Sequence, residues 1–192
     1  MKKTVWFLII GLFSCTILLA QTENPDSKNL TKEEKKAMKL AKKEEEARKR
    51  EEALVRNKAI AENRNWVLEA HTVFEKGGQS FQMNPSINFV SVKGDETTIQ
   101  LSFNGIMGWN GVGGITLEGK TTKYQVNDSK NSFTITMTAL GSGMGPVDFL
   151  VTVGSDGNGR ATLSGNWGQR ITFAGNFVSF EDSKIYKGSP TY

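Results

Sequence analysis

The residues able to do chemistry are few, and they are scattered. His71 is the only histidine and Cys15 the only cysteine of the 192 residues. One histidine supports neither a two-histidine metal site nor a Ser-His-Asp triad unless carboxylates fill in. His71 lies in the alternating run Glu69, His71, Val73, where it reads as a half-exposed strand residue. Asp128, Asp148 and Asp156 are candidate hydrolytic carboxylates, but no two stand at a spacing that marks an acid and base. Asp156-Gly157-Asn158-Gly159 begins like a calcium loop and continues with Arg160 and Ala161, so it lacks the later acceptors and reads as a hairpin turn. The glycine-rich loop from Asn104 to Gly114 holds Met107 and Trp109; a strand follows it, whereas a phosphate loop opens a helix. Trp167 stands near Arg160 and Arg170, where a cation–π pair or an anion site can form. Met107, Trp109, Trp167 and Arg170 are therefore the candidate ligand-binding residues. The pattern points to no catalytic residue, no metal and no cofactor, hence to a protein that is not an enzyme.

The elements that must position these groups begin with a leader. Lys2 and Lys3 precede an apolar run over residues 5–20, and Gln21 opens a polar stretch. This is the anatomy of a signal peptide over 1–20, with cleavage between Ala20 and Gln21. The apolar run falls short of the roughly 20 residues that span a bilayer, so no transmembrane span is expected in the mature chain. A rival reading takes Leu12-Phe13-Ser14-Cys15 as a lipobox. Lipidation at Cys15 would be the only membrane attachment. Cleavage after Ala20 removes the one cysteine and with it any disulfide or thiolate chemistry. The expected location is the periplasm or the outer membrane surface.

Residues 21–30 read as a linker and residues 31–64 as one long charged helix. Thr31 with Glu34 is a capping-box signature, and Ala, Lys, Glu, Arg and Leu are strong helix formers. Leu40, Ala47, Leu54, Ala61 and Leu68 fall seven apart, a heptad-like stripe whose companion positions are mostly charged. A coiled coil needs both seams apolar, so a solvated spacer, a weak coiled coil and a partner-binding helix all stay open. The turns around Leu54 and Ile60 are expected to dock on the following domain. Residues 28–64 carry 13 basic against 8 acidic residues, and residues 66–192 carry 9 against 10. The basic excess thus sits on the helix, interleaved with Glu, and nucleic acid is rejected as a partner.

From Trp66 the apolar period becomes alternating. Strands are expected at 66–74, 87–92, 97–103, 115–118, 122–126, 132–139, 147–153, 160–164 and 170–175, with turns at Lys93-Gly94-Asp95, Asn127 to Asn131 and Gly154 to Gly159. The fold class is mainly β: an antiparallel meander over 66–178 forming a small barrel or sandwich, then a C-terminal tail over 179–192. The expected inward set is Phe89, Ile99, Leu101, Phe103, Ile115, Leu117, Phe133, Ile135, Met137, Phe149, Val151, Leu163, Ile171 and Phe173.

Several runs carry a family resemblance: the Val92-to-Asp95 hairpin, the Gly-Gly-Ile-x-Leu run from Gly113 and the Arg-Ile-Thr-Phe-x-Gly strand from Arg170. Over residues 50–178 the chain resembles the Domain of unknown function 4251 family, exported proteins of Bacteroidota. Members often carry Leu-Pro-Tyr-Phe-Gly where this chain has Leu101-Ser102-Phe103-Asn104-Gly105. The resemblance implies a lipocalin-like antiparallel barrel in an exported protein and supplies no activity. Three function classes follow: a barrel binding a small apolar or peptide ligand, a structural or interaction protein working through its helix with an envelope partner, and a carboxylate hydrolase.

Overall fold

A computed structural model describes residues 31–102, 111–143, 145–165, 168 and 170–191. Cys15, Ala20, Gln21, Phe103, Met107, Trp109 and Trp167 lie outside the described residues. The chain divides into two compact units with the boundary between Leu40 and Ala41. One helix, α1 (Lys32–Glu62), contains that boundary. In the first unit Thr31 and Glu34 form the capping box: the Thr31 backbone N–H donates to Glu34 Oε2 at 2.8 Å, and the Glu34 N–H donates to Thr31 Oγ1 at 3.3 Å. These bonds to the charged form hold the Glu34 carboxyl below its ordinary value.

The described residues of the second unit form the rest of α1 and nine strands: β1 (Asn65–Phe74), β2 (Ser80–Gln82), β3 (Phe89–Lys93), β4 (Glu96–Ser102), β5 (Gly114–Ser129), β6 (Ser132–Gly141), β7 (Gly145–Gly154), β8 (Asn158–Gly165) and β9 (Arg170–Ser179). All neighbours pair antiparallel. β3 to β9 follow one another as a meander, and β9 returns to pair with β1, so eight strands close into a barrel. Of the two architectures expected, the barrel is the one formed. β2 and β3 lie on the same edge of β1, pairing with Thr72–Phe74 and Asn65–Glu69 respectively. They are two pieces of one interrupted strand position.

Two sequence-level expectations change. The segments 115–118 and 122–126 are one strand, β5, with a register shift between Thr121 and Lys123 that bends it without ending it. The short β2 was not expected; its three exposed residues Ser-Phe-Gln carry no alternating signal long enough to read.

The interior is filled by side chains. Trp66, Leu68, Ile135, Val151 and Ala161 are fully inaccessible to water-sized contact, and Phe133, Met137, Phe149, Leu163, Phe173 and Phe177 nearly so. Phe177 stacks on Trp66 at 5.3 Å between ring centroids and meets Phe133 edge-on at 5.8 Å. Most of the expected inward set lies here. Phe89 is a correction: it is buried, but its cross-strand partner is Gln100, whereas the next pair, Val90 and Ile99, belongs to the apolar core. Neighbouring residues point to opposite faces, so Phe89 lies on the outer face. Ile115 is a second correction, being exposed near the start of β5.

What covers the outer face at Phe89 is the C-terminal tail. Gln100 is fully buried there with all four amide positions used. Its Nε2 donates to the carbonyls of Ile87 (3.1 Å) and Tyr186 (2.8 Å). Its Oε1 accepts from Thr116 Oγ1 (3.0 Å) and the Gly188 N–H (2.8 Å). The Thr191 N–H donates to the Thr116 carbonyl, and Lys187 pairs with Glu118. Residues 179–191 are therefore a strap laid over β3–β5.

Closure of the barrel demands a missing side chain. At Gly175 in β9, opposite Ala70 of β1, a Cβ would collide with the backbone carbonyl of Glu69. Gly175→Ala should therefore destabilise the protein by about 3 kcal/mol or more, read as a lowered urea midpoint. An unchanged midpoint would mean that the β1–β9 seam is not built as described.

Candidate functional site

The helix end of the barrel is organised around the last turns of α1. Leu54 and Ile60 pack against the core, as expected, and Ala61 is fully buried within it. Leu54 and Ala61 belong to the heptad-like stripe, so the barrel consumes that part of the stripe. Three hairpin tips are held from the same helix end. Arg64 Nη1 pairs with Asp95 of the β3–β4 turn at 2.7 Å, Lys58 Nζ pairs with Asp128 at the end of β5 at 2.7 Å, and Asn57 lies against Gly157 of the β7–β8 turn. The contact with Asp128 raises the Lys58 ammonium above its ordinary value. Arg64 adopts the left-handed region (φ 51°) where the chain leaves the helix, a position more often given to glycine. Its guanidinium stacks 4.8 Å from the Tyr124 ring centroid.

Tyr124 ties helix to barrel. Trp66 Nε1–H donates to its hydroxyl oxygen at 3.0 Å, and the hydroxyl donates to the Ala61 carbonyl at 2.5 Å. Burial pushes the Tyr124 hydroxyl up to about 12. An open groove of about 770 Å³ lies between Lys43–Val55 of α1 and the hairpin tips at Lys130, Asn131 and Ser155. Lys43, Glu46, Arg50 and Glu51 give it both signs of charge.

The other end of the barrel carries the described member of the candidate ligand set. Arg170 is exposed at the start of β9, opposite Ser164 of β8. With Glu75, Lys76, Gly168 and Thr172 these residues line a recess of about 450 Å³. Arg160 is used structurally: its guanidinium lies 4.8 Å from the ring centroid of Phe74. On sequence alone, pairing and anion binding are both open to the two arginines. The structure gives Arg160 an aromatic partner and gives the Arg170 side chain none among the described residues.

The three candidate carboxylates are engaged separately. Asp128 binds Lys58, Asp148 accepts from Thr138 Oγ1 at 2.7 Å, and Asp156 accepts from the Asn158 side chain at 2.7 Å. The Asn158 bonds hold the Asp156 carboxyl below its ordinary value. His71 is exposed, with Nδ1 3.0 Å from Thr72 Oγ1. Among the described residues, no group of three His, Cys, Asp or Glu side chains is placed to hold a metal ion.

A family model described as Domain of unknown function (DUF4251) matches residues 48–177. The chain belongs to this family. Its fold is similar to a crystal structure, at 1.95 Å resolution, of a DUF4251 family protein from Bacteroides eggerthii DSM 20697. The two share 26% identity at a TM-score of 0.58, over 69% of this chain and 91% of that one. No curated protein matches the chain. The match begins at Arg48, within α1, so the DUF4251 region takes in the helix turns that hold the hairpin tips as well as the barrel.

Sequence reasoning missed Tyr124 and Gln100. Tyr124 sits in a polar strand end (Lys123-Tyr124-Gln125) that gives no sign of burial, and its partners are about 60 residues away in the chain. Replacing Tyr124 with Phe leaves the Trp66 N–H and the Ala61 carbonyl unpaired, and should cost about 1–3 kcal/mol. The unfolded phenol ionises from about pH 10 and the folded one only near 12, so the folded state binds more protons between them. The stability this group contributes is complete below pH 10 and is lost as the pH rises through 12, by about 2–3 kcal/mol. Urea titrations across that window should show the alkaline loss in the native protein and a shallower one in Tyr124→Phe. Identical slopes would rule out Tyr124 as the tie.

Proposed function

We propose that this DUF4251 protein is an exported, non-enzymatic interaction module of the cell envelope. Its N-terminal helix is the partner-binding or spacing element, and its barrel is the platform that holds the helix. The observation that carries this reading is the filled interior. Residues along the barrel axis, from Trp66 and Phe177 through Ile135 and Val151 to Phe149, are at most 3% exposed. A small-ligand carrier of this architecture needs an enclosed space. The outer face offers Lys123, Thr136, Asp148, Leu150, Thr152 and Arg160 to solvent, which suits an aqueous compartment and not an apolar lipid-facing band. Among the described residues no helix is long and apolar enough to cross a membrane.

The helix favours a partner. Between Ala41 and Glu52 it is exposed on every side, and its ion pairs (Lys49 to Glu45 at 2.6 Å, Arg48 to Glu52 at 3.8 Å) are surface pairs that add little stability. The mixed-charge groove beside the hairpin tips gives a partner segment a seat. The test is site-specific photo-crosslinking of the full-length protein in intact cells of its own host. A probe at Ala47 in the groove should give a discrete adduct, and Lys43→Glu with Arg50→Glu should reduce it at least fivefold. A probe at Leu150 on the barrel wall should not give that adduct. Equal adducts from both positions, or none from Ala47, would overturn the reading.

A further inference from the structure

We infer that the recess at the β8–β9 end, outside the barrel and away from the helix, is a binding site for the carboxylate of an acidic sugar. Four strand and turn segments converge there. β1 ends at Phe74 and turns through Glu75 and Lys76, with the Gly78 N–H donating to the Glu75 carbonyl at 3.0 Å. β9 starts at Arg170, directly opposite Ser164 of β8, and the next outward pair is Thr162 with Thr172. Phe74 of β1 pairs with Thr172 across the seam that closes the barrel. The closure that builds the fold therefore also brings Lys76 and Arg170 to one recess of about 450 Å³.

The chemistry of the lining sets the ligand class. Among the described residues neither the Arg170 nor the Lys76 side chain has an ion-pair or hydrogen-bond partner. Arginine presents parallel N–H donors that match a carboxylate edge, and lysine adds a point charge. Glu75 is the one acid of the recess, so two cations and one carboxylate leave a single net positive charge. That balance suits a monoanion and works against a dianion such as phosphate. The Ser164 and Thr172 hydroxyls supply the donor and acceptor positions that sugar hydroxyls need. Thr172 already shares a hydrogen with Thr162 at 3.2 Å, which fixes its orientation. Gly168, in the left-handed region at φ 67°, places no side chain over the recess.

The test is a titration of the full-length protein, followed by ligand-observed NMR, with glucuronic acid, glucose and inorganic phosphate as separate probes in the millimolar range. Glucuronic acid should bind, glucose should not, and phosphate should bind more weakly than glucuronic acid. Arg170→Gln and Lys76→Gln should each weaken glucuronic acid by about tenfold, the worth of a charge-assisted hydrogen bond. Glu75→Gln should strengthen phosphate relative to glucuronic acid. All three side chains are exposed, so these variants retain the fold, and Lys123→Gln on the outer wall of β5 serves as the charge control. Absence of glucuronic acid binding, equal binding of glucose, tighter binding of phosphate, or loss of binding in Lys123→Gln equal to that in Arg170→Gln would each overturn the inference. None of these outcomes bears on the helix and its partner.

Discussion

Pairing of the first strand with the last is the constraint on which the rest of the protein depends. β1 and β9 are separated by almost the whole domain, yet eight residue pairs join them, with a register shift between Ala70 and Thr72. The shift lets β1 bend enough to close the sheet. Gly175 lets the two backbones approach where a side chain would strike the Glu69 carbonyl. Closure removes the free edges that an open eight-stranded meander would otherwise expose. It also turns one face of every strand inward, where Trp66, Phe133, Phe149, Phe173 and Phe177 fill the space. No cysteine lies among the described residues, so this packing and not a disulfide holds them together.

The segments flanking the barrel solve separate problems. At one end the last turns of α1 reach three hairpin tips through Asn57, Lys58 and Arg64, and the Tyr124 hydroxyl bridges the Ala61 carbonyl and the Trp66 ring nitrogen. On the wall, the C-terminal strap covers Phe89 and Gln100. Gln100 behaves toward the strap as another peptide group would, donating to one backbone carbonyl and accepting from a backbone N–H two residues on. A buried glutamine is tolerable only because each of its positions is matched. Among the described residues, helix and strap thus leave the β8–β9 end and the outer wall of β6–β8 uncovered.

Local signals in the sequence were legible and long-range ones were not. The Thr31–Glu34 capping box, the alternating runs of β4, β6 and β7, and the turns at Gly94 and Gly157 depend on residues close in the chain, and each appears where expected. The resemblance resting on Val92–Asp95, Gly113–Leu117 and Arg170–Gly175 is borne out by the family match. Alternation says that Phe89 is covered without saying by what; the cover is the tail and not the core. Ile115 follows the inward alternation, but it is the second residue of β5 and remains exposed there. Of the candidate ligand residues only Arg170 is among those described. Nothing in its own strand shows that Lys76, 94 residues earlier, shares its recess; the β1–β9 register places it there.

The division of labour is therefore between a solid barrel and its surfaces, and the state of the interior decides it. Methyl NMR of the full-length protein, with Leu68, Ile135, Val151 and Leu163 assigned, reads that interior directly during titration with a medium-chain fatty acid. A filled barrel leaves those four signals unmoved at saturating ligand. New slow-exchange positions for them would show a ligand entering the core and would contradict a protein that works from its outside.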